Sequence, residues 1–473
     1  MKIEFTRREV LAAAAAWIGA GLETTTSLAQ LRQEPLFQLT TFSADVTPPL
    51  GHPLMGGGTA SVRQIDDPLY ANGLVLLGMD KPIVLVAVDW YEIRNDAYDS
   101  WRAALAEAAR TVPERVLVTS VHQHDAPIAD LEAQRILEKR QAAGRICDLK
   151  FHERALQNVA HAARASLQNP RRISHIGLGQ ANVEQAASHG QFREDNARST
   201  FGRVRTTRDP RANARPVGAS DPWLKMLSFW DSEFPLAVVS CYAAPKYALR
   251  EYGKGAVSAD FVGMARKRRR AEQPGTAQIY LSGCGASATA EKSDESSSED
   301  RHELADRIYR AMSQAWKATR RHPLKQIAYR TVPLRLEPRN SPGYSVADLQ
   351  RRLATSTRPF DQCLAALGLS WRNRADAGHK LDVSALDFGM AQVVLLPGGS
   401  SAEYQLMAQQ LRRDEFVIVA GYGECAPGFI PVGRVWQDGA TKLRDWCWVA
   451  PSSERALTAA LQSVLTPASG TPR

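Results

Sequence analysis

The chain has 473 residues, 44% of them hydrophobic, with 59 Lys and Arg against 50 Asp and Glu for a formal charge of +9. That is the composition of an ordinary globular protein, long enough for one large α/β domain or two medium ones. No apolar stretch is long enough to span a bilayer, the six cysteines lack the CxxC spacing of a zinc–cysteine site, and no nucleic-acid motif is present.

Lys2, Arg7 and Arg8 precede an uncharged run over residues 10–22. Thr6-Arg7-Arg8-Glu9-Val10-Leu11 is similar to a twin-arginine export signal, and Ser27-Leu28-Ala29 is a small-x-small cleavage site. These residues predict a signal peptide over 1–29 and a folded domain over 30–473, exported to the periplasm or outside of a bacterium.

Beyond the signal, residues 42–49 read as a strand stopped by Pro48-Pro49, and 69–79 and 83–89 as two further strands. Asp89 ends the second of these and reads as an acidic turn residue. Residues 99–109 are a helix leading into 115–127, RVLVTSVHQHDAP. Val116, Leu117, Val118 and Val121 form the β-branched run of a strand covered on both faces. His122 and His124 follow it two residues apart, so in an extended segment both imidazoles lie on one side and can converge on one metal ion or substrate atom. Asp125 and Pro127 then turn the chain.

Helical spacing returns at 153–167, where His161 reads as a surface residue. Residues 189–222, rich in Arg, Asn, Pro and Gly, form a long loop containing Arg193. A hairpin over 222–230 and 236–242 leads to Val257-Ser258-Ala259-Asp260-Phe261-Val262-Gly263 and a helix carrying Arg266-Lys267-Arg268-Arg269-Arg270, read as a solvated basic face. A strand at 278–281 enters the small-residue loop SGCGASATA, and a helix over 304–316 follows an acidic loop. Residues 346–367 are a helical excursion, 381–386, 392–396 and 416–420 are strands, and 453–465 is the closing helix. Alternating strands and helices with small or polar loops at strand ends predict an α/β domain with its site along one sheet edge.

VTSVHQHDAP, the D-V-T-P end of the first strand, the hairpin and S-A-D-F-V-G occur in order and together resemble the neutral, non-lysosomal ceramidase family over about residues 38–465. The resemblance implies a mixed-sheet α/β fold in a single large domain, without the C-terminal immunoglobulin-like domain some ceramidases carry. It also implies a zinc held by the first histidine of the HxH strand, a histidine before proline, a glutamate in an L-P-G-E loop and a later tyrosine, with a serine in G-D-x-S-P for amide hydrolysis. Carried over residue by residue, His122 stands at the metal, and His124 stands beside the substrate with the option of swinging onto the ion. Ala244, Gly399 and Phe429 stand at the three other ligand positions. Ser287 falls under the aspartate and Thr289 under the serine of the catalytic loop. Asp260, Asp125 and Glu403 are carboxylates that could substitute, although helical spacing turns Glu403 to solvent. Arg193 lies roughly where the family has a substrate-facing arginine.

The expected site is therefore His124, Asp260 and Thr289 for catalysis, Arg193 and Asp125 for substrate, and His122 with His124 for metal. Zinc is expected to bind weakly or not at all. Two functions stay open: metal-assisted hydrolysis of an amide or ester in a lipid-like or envelope substrate, or a non-catalytic relative that binds a ligand in the former cleft. Ala126-Pro127 excludes the metallo-β-lactamase pattern, which needs a further Asp-His there.

Overall fold

In the strand Ile83–Val88, Val84, Val86 and Val88 alternate with Ile83, Leu85 and Ala87, and all six are buried. A strand of this kind must be covered on both sides. The computed structural model describes residues 37–183, 221–244, 252–285, 298–437, 443 and 445–466. The predicted signal, Arg193, Ser287 and Thr289 lie outside them.

Three mixed sheets make up the body of the domain. The first runs in the order Val116–Ser120, Ile83–Val88, Tyr70–Leu77, Gln38–Asp45 and Arg171–Arg172. The second runs Ala277–Ser282, Phe234–Tyr242, Trp223–Asp231, His175–Asn182 and Arg320–Pro323, and the third Ala328–Leu334, Leu381–Asp387, Ala391–Leu395 and Phe416–Ala420. Each sheet is antiparallel except at one end, where Val116–Ser120, Ala277–Ser282 and Phe416–Ala420 each join in parallel. Those three edge strands converge. Ser120 N–H donates to Tyr422 O at 2.9 Å, Gly421 N–H donates to Ser282 O at 2.9 Å, and Ser282 Oγ donates to Val121 O at 2.7 Å. The site expected at one sheet edge thus sits where the edges of three sheets meet.

Alternation of side chains explains the layering. Val75, Val84, Val86 and Val118 share a core with Trp101 and Leu105 of helix Asn95–Ala109 and Val159 of helix Leu149–Ser166. Leu74, Leu85 and Leu117 point the other way, into a core with Val239 and Ile279 of the second sheet, Ala265 of helix Asp260–Glu272, and Ile308 and Met312 of helix Ser298–Lys317. The order of layers is helix, sheet, sheet, helix.

Several sequence expectations shift at their edges. The excursion at 346–367 is two helices, Val346–Thr355 and Pro359–Asp376, because Pro359 has no N–H to continue the first and takes an N-terminal position in the second. A helix Leu131–Lys139, absent from the sequence reading, is capped by Asp130, whose carboxylate accepts from Ala133 N–H. The basic run is solvated only in part: Lys267, Arg268 and Arg270 are exposed, whereas Arg266 and Arg269 are buried, and Arg266 clasps Asp89 with both Nη atoms. Asp89, read as a turn residue, is fully buried as the other half of that pair and also accepts from Tyr70 N–H. All six cysteines are buried free thiols. Among the described residues no helix is long and apolar enough to cross a membrane.

Candidate functional site

Beyond Ser120 the chain cannot stay extended, because His122 takes a left-handed backbone conformation with φ 64°. Tyr422, just past the end of the third sheet's edge strand, does the same with φ 57°. These two turns bring the rings together. The His122 imidazole is stacked between Tyr91 and Tyr422, each centroid 4.1 Å away, with interplanar angles of 27° and 18°. His122 Nδ1 lies 3.0 Å from Tyr91 O. A carbonyl only accepts, so Nδ1 is the donor in this bond. Glu92 Oε1 stands 3.8 Å from the same Nδ1, and Glu92 Oε2 accepts from the fully buried Arg94 at 2.7 Å.

A cavity of about 60 Å³ opens at this junction, with His122, His124, Tyr252, Asp260, Ser282 and Tyr422 among its walls. That volume admits a few water molecules or one small group. On its other side, the Tyr252 hydroxyl donates to Asp260 Oδ2 and the Tyr252 ring lies 4.9 Å from that of His124. Burial, reinforced by the Asp260 charge, raises the Tyr252 pKa well above the ordinary phenol value, which keeps this hydroxyl a donor. Asp260 opens helix Asp260–Glu272 with φ 58° and accepts from Phe261 N–H at 2.9 Å. Arg301 Nε lies 3.1 Å from Asp260 Oδ1, its guanidinium reaches to 3.6 Å from Asp125 Oδ2, and its carbon is 5.5 Å from the Tyr252 ring centre. Asp125 also accepts from Gly253 N–H at 2.8 Å.

His122, His124 and Asp260 therefore line one cavity, with Asp125 joined to its wall through Arg301. Glu403, expected to face solvent, is half-buried with its side chain 20% exposed, and pairs with Arg434. Ala244 and Gly283 are part of the cavity wall. Gly399 and Phe429 are paired with each other as the register partners of two short parallel strands.

The side chains present can be compared with what a catalytic zinc requires, about three protein ligands in tetrahedral array. Among the described residues no three His, Cys, Asp or Glu side chains converge in that way. Ala244 offers no donor, and two imidazoles on one tetrahedral ion with bonds of about 2.1 Å have centroids roughly 5 Å apart. Those of His122 and His124 are 6.4 Å apart with planes at 81°. As they stand, the described residues do not fit such a site.

Tyr91, Tyr252, Tyr422 and Arg301 belong to the site and were missed in the sequence. Tyr422 alone carried a signal: an aromatic flanked by glycines, GYG, immediately after an apolar strand.

The fold recurs in solved structures. Neutral ceramidase from Pseudomonas aeruginosa superposes with a TM-score of 0.66 over 92% of this chain and 74% of that one, at 14% identity. A ceramidase complexed with C2 gives a TM-score of 0.65 over 91% of this chain and 75% of that one, at 12% identity. The chain has the neutral ceramidase fold. The sequence matches no protein-family model and no curated protein. Identity this low leaves the ceramidase likeness a statement about fold, and the chemistry must come from the residues of this chain.

Proposed function

We propose that this chain is an exported protein of ceramidase fold that binds a lipid-like or envelope-derived ligand at the junction of the three sheets, without the zinc chemistry of amide hydrolysis. One observation carries the reading: Tyr91 and Tyr422 cover the faces of His122, Ala244 stands in the wall, and among the described residues no three His, Cys, Asp or Glu side chains converge there. Zinc would find too few partners there to offset its dehydration. The likeness to ceramidases supports an amphiphile as ligand, and the Tyr252–Asp260–Arg301 cluster supplies polar groups at one side of the cavity.

The test uses the purified full chain. Calorimetry with a short-chain N-acyl amphiphile should show binding that EDTA leaves unchanged, with no release of fatty acid over hours. Turnover abolished by both EDTA and His122→Ala would replace this reading with the second one, a metal-assisted amide or ester hydrolase. The observation favouring that second reading is that His122, His124 and the Asp260 carboxylate line one cavity.

Export rests on the N-terminal residues. Replacing Arg7 and Arg8 together by lysine keeps the charge and removes the paired guanidinium groups, so a receptor that reads arginine geometry should reject the variant. Unchanged export of the variant through the twin-arginine route would remove this part of the proposal.

A further inference from the structure

Glu424 lies two residues beyond Tyr422, and the main chain ties the two together: Tyr422 N–H donates to Gly398 O while Gly398 N–H donates to Glu424 O, each at 2.9 Å. Its side chain is only 4% exposed and belongs to a cluster of charged groups distinct from the cavity. Glu424 Oε2 lies 3.3 Å from His379 Nε2, and among the described residues Oε1 has no donor. Arg374 Nη2 lies 2.7 Å from His379 Nε2, 3.1 Å from His379 Nδ1 and 2.7 Å from Asp99 Oδ2. His379 is fixed to the end of helix Pro359–Asp376, where its N–H donates to Arg374 O at 3.0 Å. The titratable and charged groups facing Glu424 are therefore Tyr98 and Asp99 of helix Asn95–Ala109, Arg374 of helix Pro359–Asp376, and His379 of the turn after it.

A guanidinium only donates and a carboxylate only accepts, so His379 Nε2 cannot serve both neighbours. A neutral ring reconciles them by donating from Nε2 to Glu424 and accepting from Arg374 at Nδ1. A second proton, taken from solvent onto Nδ1, leaves no lone pair for Arg374, which keeps Asp99 as its partner. The same proton turns the contact with Glu424 into an ion pair, and charge-assisted bonds are the stronger kind. Burial, against the pull of His379 and Arg374, already raises the Glu424 carboxyl above its usual range, so the buried carboxylate lacks compensation. The closed cluster thus gains from a proton that an opened, solvated one does not need, and falling pH favours the closed form.

We propose that Asp99, Arg374, His379 and Glu424 form a proton-operated latch: protonation of His379 releases Arg374 to Asp99 and tightens the hold of the helix end on the 421–428 loop, which carries Tyr422 into the wall of the cavity. Histidine is the side chain whose charge changes between about pH 5 and 8, so the latch works in the range where an exported protein meets changes of acidity. It stands apart from the question of what the cavity binds.

The experiment is amide hydrogen exchange of the full chain, read on the 421–428 segment at about pH 7.5 and 5.5 and corrected for the intrinsic rate at each pH. A local readout is needed because His52 and His152 move global stability in the opposite direction. Protection of the segment in wild type should rise about threefold or more at the lower pH. His379→Gln still offers Glu424 an N–H but takes no proton, and its protection should be the same at both pH values. Glu424→Gln, which imitates the protonated acid in shape, should be equally flat and serves if the first variant fails to fold. A purely structural role for His379 would change protection by one factor at both pH values and leave the rise in place. A flat wild-type profile overturns the proposal by itself, and so does a rise that survives in a folded His379→Gln. Either result leaves the ligand-binding reading intact.

Discussion

His122 lies face to face with Tyr422, their ring centroids 4.1 Å apart and their planes 18° apart. The stack joins the edge strand of the first sheet to that of the third, and both residues reach it through left-handed backbone turns. Tyr422 is therefore a keystone of the site as well as part of its wall. Tyr422→Ala should destabilise the protein by about 3–5 kcal/mol, the range for removing a buried aromatic ring. Tyr422→Phe, which keeps the ring, should cost less than about 1 kcal/mol. Urea unfolding of both variants checks this, and equal losses for the two would show that the ring stack contributes little.

How far this could be read in advance depended on the distance over which each feature is determined. The strand Val116–Ser120, the capped helix Leu149–Ser166 and the hairpin at 223–242 follow from local periodicity, and their positions were legible to within a few residues. The histidine pair was legible as a pair but not in its geometry, since nothing local announces a positive φ at a histidine. Asp89 and Arg266 are 177 residues apart and their pairing is set by how helix Asp260–Glu272 packs, so each alone resembled an ordinary surface charge. Tyr91 and Tyr252 were invisible for the same reason: each becomes part of the site only once three separate sheet edges meet.

The Arg266–Asp89 pair gives a second prediction. Both side chains are buried, and Arg266 Nη1 donates to Asp89 Oδ1 at 2.9 Å while Nη2 donates to Oδ2. Breaking a buried pair from one side leaves a charge without its partner, at a cost of about 3–5 kcal/mol. Arg266→Lys cannot reproduce the two-pronged contact and should destabilise nearly as much as Arg266→Met. Recovery of wild-type stability by Arg266→Lys in thermal unfolding would show that charge alone suffices.

A third concerns acid. Burial lowers His52 from 6.5 to about 4, against an opposing hydrogen bond to Pro53 O, and burial likewise lowers His152 to about 4. The folded protein keeps both rings neutral while the unfolded chain protonates them near 6.5, so the unfolded state binds more protons in between. The stability they contribute is complete above about pH 6.5 and is lost as pH falls towards 4, by up to roughly 3 kcal/mol for each ring. In His152→Phe a flat ring that takes no proton replaces the buried imidazole, whose centre lies 6.2 Å from that of the Trp90 ring. The difference in unfolding free energy between wild type and His152→Phe, measured from pH 7.5 to 4.5, should shift towards the variant as pH falls. A difference that stays flat would mean that His152 takes up its proton in the folded state.

The last prediction separates a site that has lost its metal from one whose ligands lie elsewhere. Ala244 is in the cavity wall with His122, while Gly399 and Phe429 are cross-strand neighbours one step from Gly398, whose carbonyl accepts from Tyr422 N–H. If these three positions are where imidazole, carboxylate and phenol are missing, wild type should show no tight stoichiometric zinc. Ala244→His, Gly399→Glu or Phe429→Tyr alone should change that little, because one added ligand still leaves His122 short of a tetrahedral set. The triple variant should gain affinity far beyond the sum of the single changes, since ligands of one site couple. Zinc titration at neutral pH reads the outcome, with circular dichroism to confirm folding of the variants and His122→Ala in the triple background as control. Tight zinc in the wild type that vanishes in His122→Ala would place the ligands at other residues, and the hydrolase reading would then displace the binder.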